Sequence, residues 1–327
     1  MPVSTHALPQ TPCYLDCVYT PLAEAKVSVL DRGFIFGDGV YEVVPVYDGV
    51  PFGFAEHMAR LDRSLAELRI TNPLAAAQSR DIAMRLVAAS GAEPSRALYI
   101  QVTRGVALRE HSMPQGLTPT VFVLINPMPP VSAAARANGV ACVTAEDFCW
   151  KKAHIKAISL LGAVLARQIS VDAGAAETVM FRDGALSEAS SSNVWLMKNG
   201  RVAGVTPDEL VLRGIRYRVI GQLCEQAGIP FELRRIAREE VLDADELLLS
   251  SASKEVLAVT SLDGRPIGTG RPGPIYDKLH AGCQRAKQQT AAPRLATSCA
   301  SPPPRGEARP PWGSSAAADS AQESPAP

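Results

Sequence analysis

Three tight-turn dipeptides, Asp48-Gly49, Asp183-Gly184 and Asn199-Gly200, each follow a short apolar run, which restricts the chain to folds that contain β-hairpins. Val40 to Tyr47 leads into the first turn, and Pro45 within it marks an edge strand or a bulge. Leu98, Ile100 and Val102 alternate with polar or aromatic neighbours and predict a half-buried strand. Further strands are expected at 120–125, 140–144, 178–181, 193–197, 246–249 and 256–259. Between them the period changes. Met58, Leu61, Leu65 and Leu68 predict a helix over 55–69, and a second helix around Ile82, Leu86 and Val87 stops at Gly91. Helical spacing returns at 160–171, 212–227 and 275–287, so the chain mixes both element types.

The 327 residues suffice for one large or two ordinary domains. Residues 1–12 read as a loose end, 13–126 as a smaller domain, and the Pro-rich 127–136 as a linker to a larger domain over 137–290. Residues 291–327 contain 24 Pro, Ala or Ser among 37, too little apolar surface to offset ordering entropy, and are expected to be a disordered tail. Lys plus Arg equals Asp plus Glu at 33 each, so no charge excess points to nucleic acid or an anionic membrane. No apolar run approaches the roughly 20 residues needed to span a bilayer, and the start lacks the pattern of a secretion signal. The seven cysteines are scattered without paired metal-ligand spacing. Free thiols and a cytoplasmic location are the expectation, with no metal.

Lys156 is the unusual residue. Ile155, Ala157, Ile158, Leu160 and Leu161 surround it in sequence, an apolar setting that would strip much of the hydration from an ammonium. Desolvation favours the neutral amine, the form that condenses with a carbonyl. A lysine that reaches past an apolar surface to water is the alternative.

Four stretches occur in order: DRGFIFGDGVYEVVPVY (31–47), QVTRGVALREHSMP (101–114), IKAISLLGAVLARQ (155–168) and SEASSSNVW (187–195). Together they resemble the fold-type IV pyridoxal-phosphate-dependent aminotransferases, nearest to the D-amino acid aminotransferase branch. The similarity runs from about Tyr14 to about Arg285. It implies an α/β (α+β) fold with a smaller α/β domain and a larger pseudo-barrel domain with helices, the cofactor pyridoxal 5'-phosphate lying between them. It also implies a homodimer whose mid-domain loop reaches the neighbouring subunit.

By the same resemblance Lys156 holds the cofactor aldehyde and then serves as general acid and base. Glu188 lies beside the ring nitrogen. Ser191, Ser192 and Asn193, the small polar residues after it, supply hydroxyl and amide donors to the cofactor, and Leu212 opens the helix start that cradles its phosphate. The cofactor phosphate falls on the backbone amides of Ile215 and Arg216 at a helix start, on Arg60, and on Ser251 and Ala252. Two positions depart from the family pattern: threonine is usual where Arg216 stands, and Ala252 offers no hydroxyl. Tyr41, Arg109 and His111 hold the substrate carboxylate in the D-amino acid branch, and all three are present. The implied activity is ping-pong transamination between a D-amino acid and a 2-oxo acid, small molecules being the only partners besides a second copy. The same scaffold also hosts branched-chain L-amino acid aminotransferases, aminodeoxychorismate lyases and (R)-amine transaminases. A cofactor-binding protein without turnover is the reading from a different class.

Overall fold

Val40, Glu42 and Val44 point inward from the strand Gly39–Tyr47 while Tyr41 and Val43 are less buried, the alternation expected of a strand with one face on a core. In the computed structural model, which describes residues 10–91 and 93–297, this strand is β3 of a six-stranded sheet. The preceding elements are β1 (Pro12–Leu15), β2 (Val18–Pro21) and the short α1 (Arg32–Phe36). After β3 come β4 (Val50–Pro51), α2 (Phe54–Glu67), α3 (Ala76–Ala89), β5 (Ser95–Thr103) and β6 (Val121–Pro127). The sheet order is β2-β1-β6-β5-β3-β4, antiparallel throughout. Met58, Leu61 and Leu65 of α2 pack with Ile82 and Leu86 of α3 on its inner face.

The rest of the chain builds a nine-stranded mixed sheet. Its elements are α4 (Ala133–Asn138), β7 (Val140–Glu146), α5 (Leu161–Asp172), β8 (Glu177–Arg182), β9 (Ala185–Ala189), β10 (Asn193–Lys198), β11 (Arg201–Val205), α6 (Arg216–Gln226), β12 (Phe231–Arg234) and α7 (Arg238–Leu242). They are followed by β13 (Glu246–Ser251), β14 (Glu255–Leu262), β15 (Arg265–Pro266) and α8 (Pro274–Thr297). The order is β12-β11-β10-β13-β14-β7-β8-β9, with β15 on β14. The β11–β12, β14–β7 and β7–β8 pairs are parallel. Trp195 is fully buried, donates Nε1–H to Ser250 Oγ at 2.8 Å and packs 4.6 Å from the Tyr217 ring, which seats α6 against this sheet.

The structure differs from the sequence expectations in definable ways. Residues 127–136 contain the start of α4, capped by Ser132 Oγ accepting from the Ala135 N–H at 3.1 Å. Helix α6 begins at Arg216, not Leu212, because side chains take the carbonyls before it: Asn193 Nδ2 donates to Leu212 O and Arg60 Nη1 to Arg213 O. Helix α8 continues to Thr297, seven residues into the stretch read as a tail. Residues 298–327, and the loose end before Gln10, lie outside the described residues. Among the described residues no helix is long and apolar enough to cross a membrane.

Candidate active site

Lys156 sits in the irregular segment between β7 and α5, fixed by its backbone from two directions. Its N–H donates to Ser64 Oγ of α2 at 3.2 Å, and its carbonyl accepts from the Tyr41 N–H of β3 at 3.0 Å. Ala157 forms a bridge with Val40, and the Ile158 N–H donates to the Gly39 carbonyl at 3.0 Å. The backbone approach needs glycine at Gly37, whose φ is +66° and where a Cβ would meet Ser159 Oγ at 2.7 Å. Lys156 Nζ then lies 4.3 Å from the centre of the Tyr41 ring. The apolar enclosure expected for Lys156 is only partial. Ile155 and Ala157 are buried, but Leu160 and Leu161 are exposed because α5 turns that face outward.

Glu188 on β9 faces Lys156 closely enough for the ammonium to favour its charge. Its carboxyl is walled in by protein, although the residue as a whole is half-buried. Among the described residues its one hydrogen bond is from the Leu212 N–H at 3.4 Å. Burial, reinforced by nearby Asp147 and only partly offset by that donor and by Lys156 and Arg182, pushes its carboxyl up to about 8. A folded-state pKa above the ordinary 4.5 means the folded chain binds the proton more tightly, so its stability falls as pH rises through that interval. We expect the melting temperature of the ligand-free protein to decline between pH 5 and 8, and the decline to be shallower in Glu188→Gln. Equal slopes in a pH series of melting curves would remove Glu188 as the cause.

Arg60 of α2 is held on the same side. Its Nε and Nη2 each lie 2.7 Å from the Glu42 carboxylate, and Nη1 donates to the Arg213 carbonyl at 3.2 Å. Of five guanidinium N–H groups, two remain for an anion. Burial opposes the Glu42 charge, but Arg60 and His57, whose Nδ1 is 2.7 Å away, outweigh it and hold the carboxyl at about 2. The first-turn N–H groups of α6 have no intrahelical acceptor, so Ile215 and Arg216 open an anion seat next to Arg60. Gly214 lets this loop close on Asn193, since a Cβ there would lie 2.1 Å from Asn193 Oδ1. The Arg216 side chain runs over the Phe52 ring at 4.8 Å with Nη2 3.4 Å from the Tyr47 hydroxyl; its buried Nη1 has no partner among the described residues.

The structure corrects two expectations. The hydroxyls of Ser191 and Ser192 do not face the cavity as free donors: both donate to the buried Glu177 carboxylate, at 2.6 and 2.9 Å, and Ser190 joins them. A buried anion draws hydroxyls more strongly than a solvated cavity does. Arg109 and His111 do not join Tyr41 and Lys156 within the chain. Both are exposed and gather on Phe36, the His111 ring centre 5.4 Å and the Arg109 guanidinium 5.5 Å from that ring. Ser251 and Ala252 lie in the β13–β14 turn, where Ser251 Oγ accepts from the Lys254 N–H at 3.1 Å. Glu42, His57, Glu177 and Lys254 escaped the sequence reading. Glu42 carried a signal, a carboxylate at an inward position between Val40 and Val44, whereas Glu177 carried none.

The family model described as "Amino-transferase class IV" matches residues 39–262, most of the chain and every element just described except α1 and the ends. The chain belongs to the class IV aminotransferases. This class IV aminotransferase is 38% identical over 264 residues to the D-alanine aminotransferase of Bacillus licheniformis, covering 81% of this chain and 93% of that protein. It is 36% identical over 272 residues to the D-alanine aminotransferase of Staphylococcus aureus (strain N315), covering 83% and 96%. Among solved structures, the branched-chain aminotransferase of the thermophilic archaeon Thermoproteus uzoniensis with norvaline superposes with a TM-score of 0.79 at 22% identity, covering 88% of this chain and 97% of that one. That likeness shows the fold-type IV architecture of this chain.

The donor set fits pyridoxal phosphate. Glu188 has no ion-pair partner among the described residues, which suits its carboxyl to a protonated ring nitrogen. Arg60 and the α6 amides offer N–H donors suited to an anion, and Lys156 supplies an amine near Glu188.

Proposed function

We propose that this class IV aminotransferase uses pyridoxal 5'-phosphate to exchange amine between a D-amino acid such as D-alanine and a 2-oxo acid such as 2-oxoglutarate. The observation that carries the chemistry is Glu188, a walled-in carboxyl with no ion-pair partner among the described residues, near enough to Lys156 to feel its charge. Support for D-amino acids comes from the D-alanine aminotransferases, 34–38% identical over about four fifths of the chain.

Arg60, the amides of Ile215 and Arg216, and the Ser251-Ala252 turn would hold the phosphate; Glu188 would hold the ring nitrogen. Leu212 and Asn193 would flank the ring, with the backbone of Ser191 and Ser192 completing the wall. Bound there, the cofactor supplies an aldehyde that captures the substrate amine and a ring that takes up electron density from the substrate Cα. Glu188 keeps that sink effective by pairing with the ring N–H. Lys156 Nζ removes the proton from the substrate Cα, and the Tyr41 ring beneath Nζ limits where the amine can swing.

The substrate carboxylate would be held by Tyr41 together with Arg109 and His111 from a second copy. Support for a homodimer is an apolar surface beside the site: Phe34, Leu108, Leu161 and Val164 are each more than half exposed. These residues lie on adjoining segments, since Ser159 Oγ donates to Gly37 O and the Ala107 N–H to Leu30 O. A cytoplasmic setting agrees with the free state of the cysteines at 13, 17, 142, 149, 224 and 283.

The test is amine transfer by purified protein supplied with pyridoxal phosphate. D-alanine is expected to react with 2-oxoglutarate well ahead of L-leucine. Transfer from L-leucine and none from D-alanine would instead favour the branched-chain reading.

A further inference from the structure

Glu177 opens β8 with no exposed surface, and the chemistry above assigns it no task. Ser190, Ser191 and Ser192, three consecutive residues, all donate their hydroxyls to it. Lys254 Nζ donates to Glu177 Oε1 at 2.6 Å and to Ser191 Oγ at 3.0 Å. Burial works against the charge on Glu177, but Lys254 and the serines outweigh it, holding the carboxyl below the ordinary range. Four donors converge on one carboxylate, three on Oε1 and one on Oε2, so Glu177 is held as an anion that accepts from both turns.

These donors come from two separate turns. Ser190–Ser192 links Glu188 to Asn193, and Asn193 Nδ2 donates to Leu212 O, whose own N–H meets Glu188. That turn belongs to the ring end of the site. Lys254 belongs to the Ser251–Lys254 turn at the phosphate end, where its N–H donates to Ser251 Oγ. Neither turn carries a large apolar side chain that could anchor it. The bonds converging on Glu177 join one turn to the other.

We infer that Glu177, with Lys254 as counter-ion, is a positioning residue that sets the separation between the ring-binding and phosphate-binding ends of the cofactor cavity. The inference rests on the functional reading above. It differs from a generic stability role in where the loss falls. A carboxylate that only stabilises the fold lowers the melting temperature and leaves cofactor affinity alone. One that sets the span makes the cofactor spend binding energy to order two loosened turns, so affinity falls.

The experiment uses Glu177→Gln, which keeps the shape and removes the charge, with Lys254→Met as an independent route to the same loss. Pyridoxal phosphate titrations followed by tryptophan fluorescence give Kd, and melting curves with and without the cofactor give its stabilisation of each protein. We expect Kd to rise about tenfold or more in both variants, the cofactor-induced gain in Tm to shrink, and kcat at saturating cofactor to stay within about threefold of wild type. An unchanged Kd in either folded variant, even with a lower Tm, overturns the proposal. A wild-type protein that takes up no pyridoxal phosphate overturns the functional reading, and this proposal with it.

Discussion

Lys156→Ala is expected to abolish covalent attachment of the cofactor and to lower kcat by about a thousandfold or more, while non-covalent cofactor binding persists. The size of the effect follows from two losses at one atom: the covalent anchor and the acid-base group at the substrate Cα. Persistence of binding follows from the independence of the other contacts. Arg60 is fixed by Glu42, and Glu188 by its strand, without help from the lysine side chain. Other lysines cannot easily substitute. Lys254 Nζ is committed to Glu177, and Lys152 Nζ pairs with Glu209 at 2.5 Å on an exposed surface. Activity after Lys156→Ala close to that of wild type, measured by single-turnover formation of the 2-oxo acid, would contradict the assignment.

The second large effect is expected from Arg109→Ala, with KM for the amino acid rising roughly a hundredfold and kcat changing little. A guanidinium on a carboxylate forms two charge-assisted hydrogen bonds, and their loss has that size in a site closed from water. Within one chain Arg109 is exposed and stacked on Phe36, so this expectation depends on a second copy seating the loop against Tyr41 and Lys156. Mixing subunits separates the alternatives. In a hybrid of Lys156→Ala with Arg109→Ala chains, one of two sites would combine an intact Lys156 with an intact Arg109 from the neighbour. Substantial recovery of activity on mixing is the expected result. No recovery in hybrids shown to have formed would place Arg109 in its own subunit's site or outside any site.

Much of the fold was legible because the period of apolar residues changes cleanly along the chain. The stripe at Met58, Leu61 and Leu65 is the buried face of α2, and the alternation at Leu98, Ile100 and Val102 is the inner face of β5. Elements whose signal is not periodic were missed. The strand β9 contains Ser187 and Glu188, which look like a turn in sequence; Ser187 is buried and Glu188 half-buried, with Ser187 Oγ donating to Met180 O at 3.1 Å. The short α1 depends on Asp31, which caps it through the Gly33 N–H at 2.7 Å and is itself held by Thr103 from a distant strand.

The site was legible to the extent that its residues announce their chemistry locally. Lys156 could be singled out among apolar neighbours and Glu188 only through the family resemblance; in the structure Glu188 lies near Lys156, and Arg60 beside the α6 start. The partners that orient these groups could not be singled out. Glu177 meets the serines only because β8 folds beside the β9–β10 turn, and Lys254 arrives from a hairpin more than seventy residues on. Arg216 illustrates the opposite limit. Its backbone stands where the anion seat requires an N–H, whereas its side chain, which departs from the family, turns to Phe52 and Tyr47 for reasons the linear sequence does not contain.

The most direct test of the account is chemical trapping. Purified protein saturated with pyridoxal phosphate, reduced with borohydride and digested, is predicted to yield one cofactor-bearing peptide, with the modification on Lys156. A modification on Lys152, Lys254 or another lysine, or none after demonstrated cofactor binding, would contradict it.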